Sequence, residues 1–242
     1  MSKKIIIWIA VLLLAANLIF ILVRLTHFFD SKPSDSKSNE PFGYYSAIRG
    51  FESQNRSDKD VVFIGDSRVA GFDFQKEIPD CQILNRGIAG DSLNGLQYRM
   101  KEILRQKPKA ILLECGVNDL RNLDFDLYHQ QHYVRYITDN FERLVDTIQA
   151  KSPTTKLYIN SIIPTYNGVS NCYQCNAKID TLNAHFEKIC IQKHINYVNL
   201  NTAFVKEKQL NLEYTYDGLH LNSMGYKAWA EQLKSSILSE LK

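Results

Sequence analysis

Four short segments of this chain carry residues whose types and spacing could do acyl-transfer chemistry. In Gly65-Asp66-Ser67 a serine follows an apolar run and opens a helical stretch, so its hydroxyl sits where backbone N–H groups face developing negative charge. In Asn85-Arg86-Gly87-Ile88-Ala89-Gly90-Asp91-Ser92 two glycines permit tight backbone geometry and close approach to a ligand. In Gly116-Val117-Asn118-Asp119 the Asn118 amide could donate to an oxyanion. In Asp217-Gly218-Leu219-His220-Leu221-Asn222 a carboxylate and an imidazole stand three apart. One turn would let Asp217 hold Nδ1–H while Nε2 stays free for a serine. Each segment alone also has a plain reading. These are a capped turn at Ser67, a loop with an N-cap at Asp91 or Ser92, an Asx turn at Asn118, and half a metal site or a solvated turn at Asp217–His220. His129 and His132, also three apart, read as residues of a surface helix.

The elements that must position these residues alternate between strand and helix. Short apolar runs at Val61–Ile64, Ile83–Leu84, Ala110–Leu113, Leu157–Ile163 and Ile195–Leu200 suit strands buried on both faces. Helical patterns lie between and after them at Leu93–Arg105, Leu127–Ala150, Ala177–Lys193 and Met224–Leu241. Such alternation predicts an α/β sandwich whose site forms at the C-terminal ends of parallel strands, where the four segments fall. Glu114, inside the third strand, is an unusual buried charge, and the sequence names no partner for it.

In combination and order, the four segments resemble the SGNH, or GDSL-like, hydrolases over residues 58–242. Gly65-Asp66-Ser67 looks like that family's nucleophile block, Gly90 like its second-block glycine, Asn118 like its third-block asparagine, and Asp217 with His220 like its final Asp-x-x-His. The resemblance implies a three-layer α/β/α fold with a parallel five-stranded, flavodoxin-like sheet. It also implies Ser67 as nucleophile, His220 as general base and Asp217 as the group orienting that base. The oxyanion donors it implies are the backbone N–H of Ser67, the backbone N–H of Gly90 and the amide of Asn118. It calls for no metal or organic cofactor. Two positions depart from the pattern: Arg68 replaces a frequent leucine after the serine, and Leu221 replaces a frequent proline after the histidine. The first puts substrate class in doubt rather than chemistry. The α/β-hydrolase elbow G-x-S-x-G is not met, because Val69 stands where its second glycine would be.

The N-terminus predicts residues 1–25 as a membrane anchor. Ile5 to Val23 is apolar except for Asn17, follows Lys3 and Lys4, and as a helix would span about 28 Å of a roughly 30 Å hydrocarbon core. A cleaved signal peptide is the alternative, although no small-x-small site follows. Residues 26–57 read as a polar linker, with the folded domain beginning between Pro41 and Lys59. The expected disposition is a single-pass protein with its site on the exported side. Cys172 and Cys175 could close a small disulfide loop there, or remain thiols. The net charge of +3, without a basic block, excludes a nucleic-acid footprint.

The function expected is ester hydrolysis through an acyl-enzyme, with O-acetyl groups on an envelope glycan, a lipid or a small ester as candidate substrates. Aromatic side chains at Tyr166, Tyr173 and Tyr216 could face such a substrate or simply pack. Two other readings remain open: an O-acyltransferase using the same triad, and a catalytically silent envelope-binding module.

Overall fold

The computed structural model describes residues 42–122, 132–167 and 174–237. The expected anchor over 1–25 lies outside these residues, as do the first part of the linker, His129, Cys172 and Tyr173. Among the described residues no helix is long and apolar enough to cross a membrane.

The chain runs α1 (Phe42–Glu52), β1 (Val61–Gly65), α2 (Ser67–Ala70), α3 (Phe74–Glu77), β2 (Ile83–Gly87), α4 (Leu93–Tyr98), α5 (Met100–Ile103), β3 (Ala110–Glu114) and α6 (Val117–Asn122). It continues through α7 (Tyr133–Lys151), β4 (Lys156–Asn160), α8 (Cys175–Gln192), β5 (Asn196–Val198), α9 (Asn201–Phe204), the short antiparallel pair β6 (Val205–Lys206) and β7 (Gln209–Leu210), and α10 (Ser223–Ser236). The first five strands form one parallel sheet in the order β2-β1-β3-β4-β5. This is the flavodoxin-like order that the family resemblance implies.

Side chains along each strand alternate between two cores, as the two-residue period of a strand requires. Val62, Ile64, Ile111, Leu113, Leu157 and Ile159 pack with α4, α7 and α8 on one face. Val61, Phe63, Ala110, Leu112 and Tyr158 pack with Phe72, Phe74 and α10 on the other, around the wholly buried Trp229. On the first face Phe141 of α7 stacks on Phe186 of α8, centroids 3.9 Å apart, a geometry that adds roughly 0.5–1.5 kcal/mol to their burial.

The register sets the site. Gly65 pairs with Gly87 on one side and with Glu114 on the other, so β1, β2 and β3 end flush. Ser67, Gly90 and Asn118 leave the sheet within a few residues of that rim. Gly87 is required there by space: an added Cβ would lie 2.1 Å from the backbone nitrogen of Ala70 in the nucleophile helix.

Three expectations are corrected. The stretch 26–57 read as linker contains α1, which packs on the domain through Tyr44, a residue only 9% exposed. The single helix expected over Leu93–Arg105 is interrupted at Arg99 (φ −93°, ψ 17°), whose guanidinium bonds Asp91 and the Arg86 carbonyl. The fifth strand is limited to Asn196–Val198, because Leu200 N–H instead bonds the Ser161 hydroxyl.

Candidate active site

Ser67 is the first residue of α2. Asp66 caps that helix by accepting the Arg68 N–H at 2.9 Å, which fixes the turn carrying the serine. His220 and Asp217 come from the loop before α10. Thr215 shapes that loop by donating its hydroxyl to the His220 carbonyl at 2.6 Å and accepting the Gly218 N–H at 2.8 Å. Asp217 Oδ1 accepts the N–H groups of Leu219 (2.9 Å) and His220 (2.7 Å), and Oδ2 lies 2.7 Å from His220 Nδ1. His220 Nε2 then stands 3.0 Å from Ser67 Oγ. Residues 153 positions apart in sequence thus meet at hydrogen-bond distance. This geometry can move a proton from hydroxyl to imidazole while a carboxylate fixes the tautomer. Desolvation would raise Asp217, but the histidine ring and the two backbone N–H groups outweigh it and leave the carboxyl below its usual range.

Gly90 adopts φ +81°, a conformation that favours glycine, and nothing lies within 4 Å of where a Cβ would be. Its constraint is therefore conformational, and the backbone there is open to an approaching group. Asn118, 8% exposed, donates its amide to the Asp91 carbonyl at 3.0 Å and reaches Asp66 Oδ2 at 3.4 Å. All five residues expected at the site are therefore on one rim. His220 contacts Ser67 on one side and Asp217 on the other, while Asn118 lies against Asp66, the chain neighbour of Ser67.

Two buried arginines brace this rim, and the sequence did not assign either. Arg68 is fully buried. Its Nε donates to the Leu219 carbonyl (3.0 Å), Nη1 to Ile163 (2.5 Å) and Nη2 to Pro164 (3.1 Å). It therefore ties the nucleophile helix to the loop after β4 and to the residue before His220. Glu114 lies 3.6 Å from its Nη1. Burial first, and then the charge of Asp66, push the Glu114 carboxyl well up against the pull of Arg68. The two positions that looked anomalous in sequence, an arginine after the serine and a charge inside a strand, are thus each other's partners. The available signal was their opposite sign.

On the other side Arg99 Nε meets Asp91 Oδ2 at 2.9 Å and its Nη2 donates to the Arg86 carbonyl at 2.6 Å. Asp91 N–H bonds the Ile88 carbonyl at 3.0 Å, closing the turn that contains Gly90. Burial raises the Asp91 carboxyl, opposed by Arg99. Asp119, whose two oxygens accept the Leu93 N–H at 3.2 Å, is pushed up to about 7, chiefly by burial.

Tyr216, 70% exposed, lies nearly parallel to the His220 ring, centroids 5.9 Å apart. It also lines a cleft of ≈ 420 Å³ with Asp73, Lys76, Glu77, Asn222 and Tyr226. Among the described residues no group of three His, Cys, Asp or Glu side chains is arranged to hold a metal ion.

A GDSL-like lipase from Bacteroides thetaiotaomicron shares this fold, with TM-score 0.68, 22% identity, and coverage of 81% of this chain and 98% of that one. A catalytic mutant of an acetylxylan esterase from Geobacillus stearothermophilus does so at TM-score 0.57 and 19% identity, covering 76% and 95%. In sequence, the chain is 26% identical over 212 residues to an N-acylneuraminate cytidylyltransferase of Escherichia coli O18:K1:H7. That match takes in 83% of this chain but only 46% of the longer protein. The model of the GDSL-like Lipase/Acylhydrolase family matches residues 63–228, a span that begins in β1 and ends in α10, and the chain belongs to that family.

Proposed function

We propose that Ser67 is the acylated nucleophile, with His220 as its general base and Asp217 orienting it, and that the substrate is a short acyl ester of a carbohydrate. The observation that carries this reading is the 3.0 Å approach of Ser67 Oγ to His220 Nε2, backed by Asp217 at 2.7 Å. His220 takes the serine proton as Oγ bonds the carbonyl carbon, and the displaced electron pair moves onto the carbonyl oxygen. The N–H groups of Ser67 and Gly90 and the Asn118 amide receive that oxyanion. Asn118 does so by turning the N–H of its longer contact, at 3.4 Å to Asp66, toward the substrate. Each such donor is worth roughly 3 kcal/mol. Collapse breaks the bond to the alcohol oxygen, which takes the proton from Nε2. Water then repeats the cycle and releases the acid.

Because His220 protonates the departing alcohol, the alcohol half lies on the imidazole side. The cleft bordered by Tyr216 is on that side, and its aromatic and polar lining suits a sugar ring. The names of two of the proteins similar to this one, one for acetylxylan and one for N-acylneuraminate, also point to carbohydrate. The apolar run Ile5–Val23 supports an anchor that holds the site on the exported side of a membrane. Ser67→Ala should lower hydrolysis of p-nitrophenyl acetate and acetylated xylo-oligosaccharides by about 10⁴-fold or more. Unchanged turnover would remove the mechanism. Acetyl groups appearing on an added glycan instead of as free acetate would make the chain a transferase.

A further inference from the structure

Helix α1 lies outside the span that matches the family, yet it reaches the loop beside Gly90. The Tyr44 hydroxyl shares its one proton between the Gly95 carbonyl at 3.0 Å and Asp91 Oδ1 at 3.4 Å. Gly95 has no room for a side chain, since a Cβ would sit 1.9 Å from that same Asp91 oxygen. Seven residues on, two helical turns along the same face, the Phe51 ring lies beneath the buried guanidiniums of Arg86 (4.7 Å) and Arg99 (6.0 Å). Arg105 fastens the end of the helix by donating to the carbonyls of Phe51, Glu52 and Gln54.

The residue these contacts converge on does two things at the rim. Asp91 closes the Gly90 turn through its N–H to Ile88, and its carbonyl accepts the Asn118 amide at 3.0 Å. Its carboxylate is held on three sides, by Arg99, by the Ser92 N–H at 2.9 Å and by Tyr44. We infer that α1 is a working part of this esterase, and that Tyr44 is a positioning residue that acts through Asp91 to set two of the three oxyanion donors, Gly90 N–H and the Asn118 amide. This rests on the functional reading above. A tyrosine that merely packed the helix would leave the transition state untouched. One that sets Asp91 contributes only once charge forms on the carbonyl oxygen.

The test uses the full chain, with Tyr44→Phe as the gentle variant, Tyr44→Ala as the severe one and Arg49→Ala, on the exposed side of the same helix, as control. The readouts are kcat and KM for p-nitrophenyl acetate, affinity for phenylboronic acid, whose serine adduct carries an oxygen in the oxyanion position, and the melting temperature. Tyr44→Phe should lower kcat about three- to tenfold with KM within about twofold, the scale of one lost hydrogen bond, and weaken the boronate by a similar factor. Tyr44→Ala should extend both losses, and Arg49→Ala should match wild type. A Tyr44→Phe protein with a lowered melting temperature but wild-type kcat and boronate affinity at 25 °C would overturn the inference alone. A wild-type chain that neither hydrolyses the ester nor binds the boronate would overturn the esterase mechanism and this inference with it.

Discussion

Arg68 and Arg99 are both buried, and both hold a side of the same rim, but they are neutralised differently. Arg68, on the histidine side, spends its donors on the carbonyls of Leu219, Ile163 and Pro164, and the acid Glu114 stands off at 3.6 Å with its carboxyl pushed up. Arg99, on the oxyanion side, donates to one carbonyl, that of Arg86, and meets its acid Asp91 directly at 2.9 Å. The histidine side is therefore held through the backbone, which fixes where a loop lies. The oxyanion side is held through a charge pair. A base must reach one point in space, and three carbonyls from separate segments over-determine that point. An oxyanion pocket must keep its donors aimed, and a carboxylate fixed from several directions orients the turn that bears them.

The largest effect should come from breaking the histidine side. Arg68→Leu frees three carbonyls and strands Glu114 in the core. It should cost about 3–5 kcal/mol in urea unfolding, chiefly from buried carbonyls left without a donor at about 1–3 kcal/mol each, and lower kcat about tenfold or more, because the residue before His220 loses its donor. A variant with wild-type kcat would mean that Arg68 only fills the core. The comparison itself is sharpened by two double-mutant cycles. Arg99→Leu with Asp91→Asn should show a coupling of about 2 kcal/mol, and Arg68→Leu with Glu114→Gln about 1 kcal/mol or less. Equal couplings would erase the distinction drawn above.

The two sides also differ in pH dependence. Asp119, on the oxyanion side, has its folded-state carboxyl raised to about 7 from an ordinary 3.8. The native state therefore holds more protons than the unfolded chain between those values, so this group's contribution to stability falls as pH rises through the window and is level above it. Asp217, on the histidine side, is lowered instead, so its contribution is present above the ordinary carboxylate range and is lost as pH falls through its depressed folded value. Asp119→Asn should flatten the decline between about pH 4 and 7, a change of at most about 4 kcal/mol. Urea midpoints at pH 5 and pH 8 read it. A slope that persists in the variant would assign it to other buried carboxyls such as Asp91.

The strands and the five rim residues were legible because strand ends and short polar blocks are local signals. The apolar runs at Val61–Ile64 and Ala110–Leu113 can be read from neighbours alone. The bracing was not legible, because it depends on register. Only when Gly65 pairs with Glu114 does the acid in β3 come within reach of the arginine after the serine. Helix α1 was missed for a different reason. Gly43, Ser46 and Gly50 make its sequence a weak helix former, and its stability comes from docking Tyr44 and Phe51, which no local propensity encodes. The break at Arg99 is similar in kind, since a helical pattern gives way to a side chain recruited inward by Asp91.

The level ending of β1, β2 and β3 has a consequence for how this scaffold can be altered. Nucleophile, turn glycine and amide are all launched from one edge, whereas the connections at the opposite edge, near Ser57–Asp60, Lys107–Lys109 and Ser152–Thr155, carry none of them. Insertions or affinity tags spliced into those distal connections should be absorbed without displacing a single reacting atom, whereas a one-residue insertion between Gly65 and Ser67 would rotate the hydroxyl away from its base.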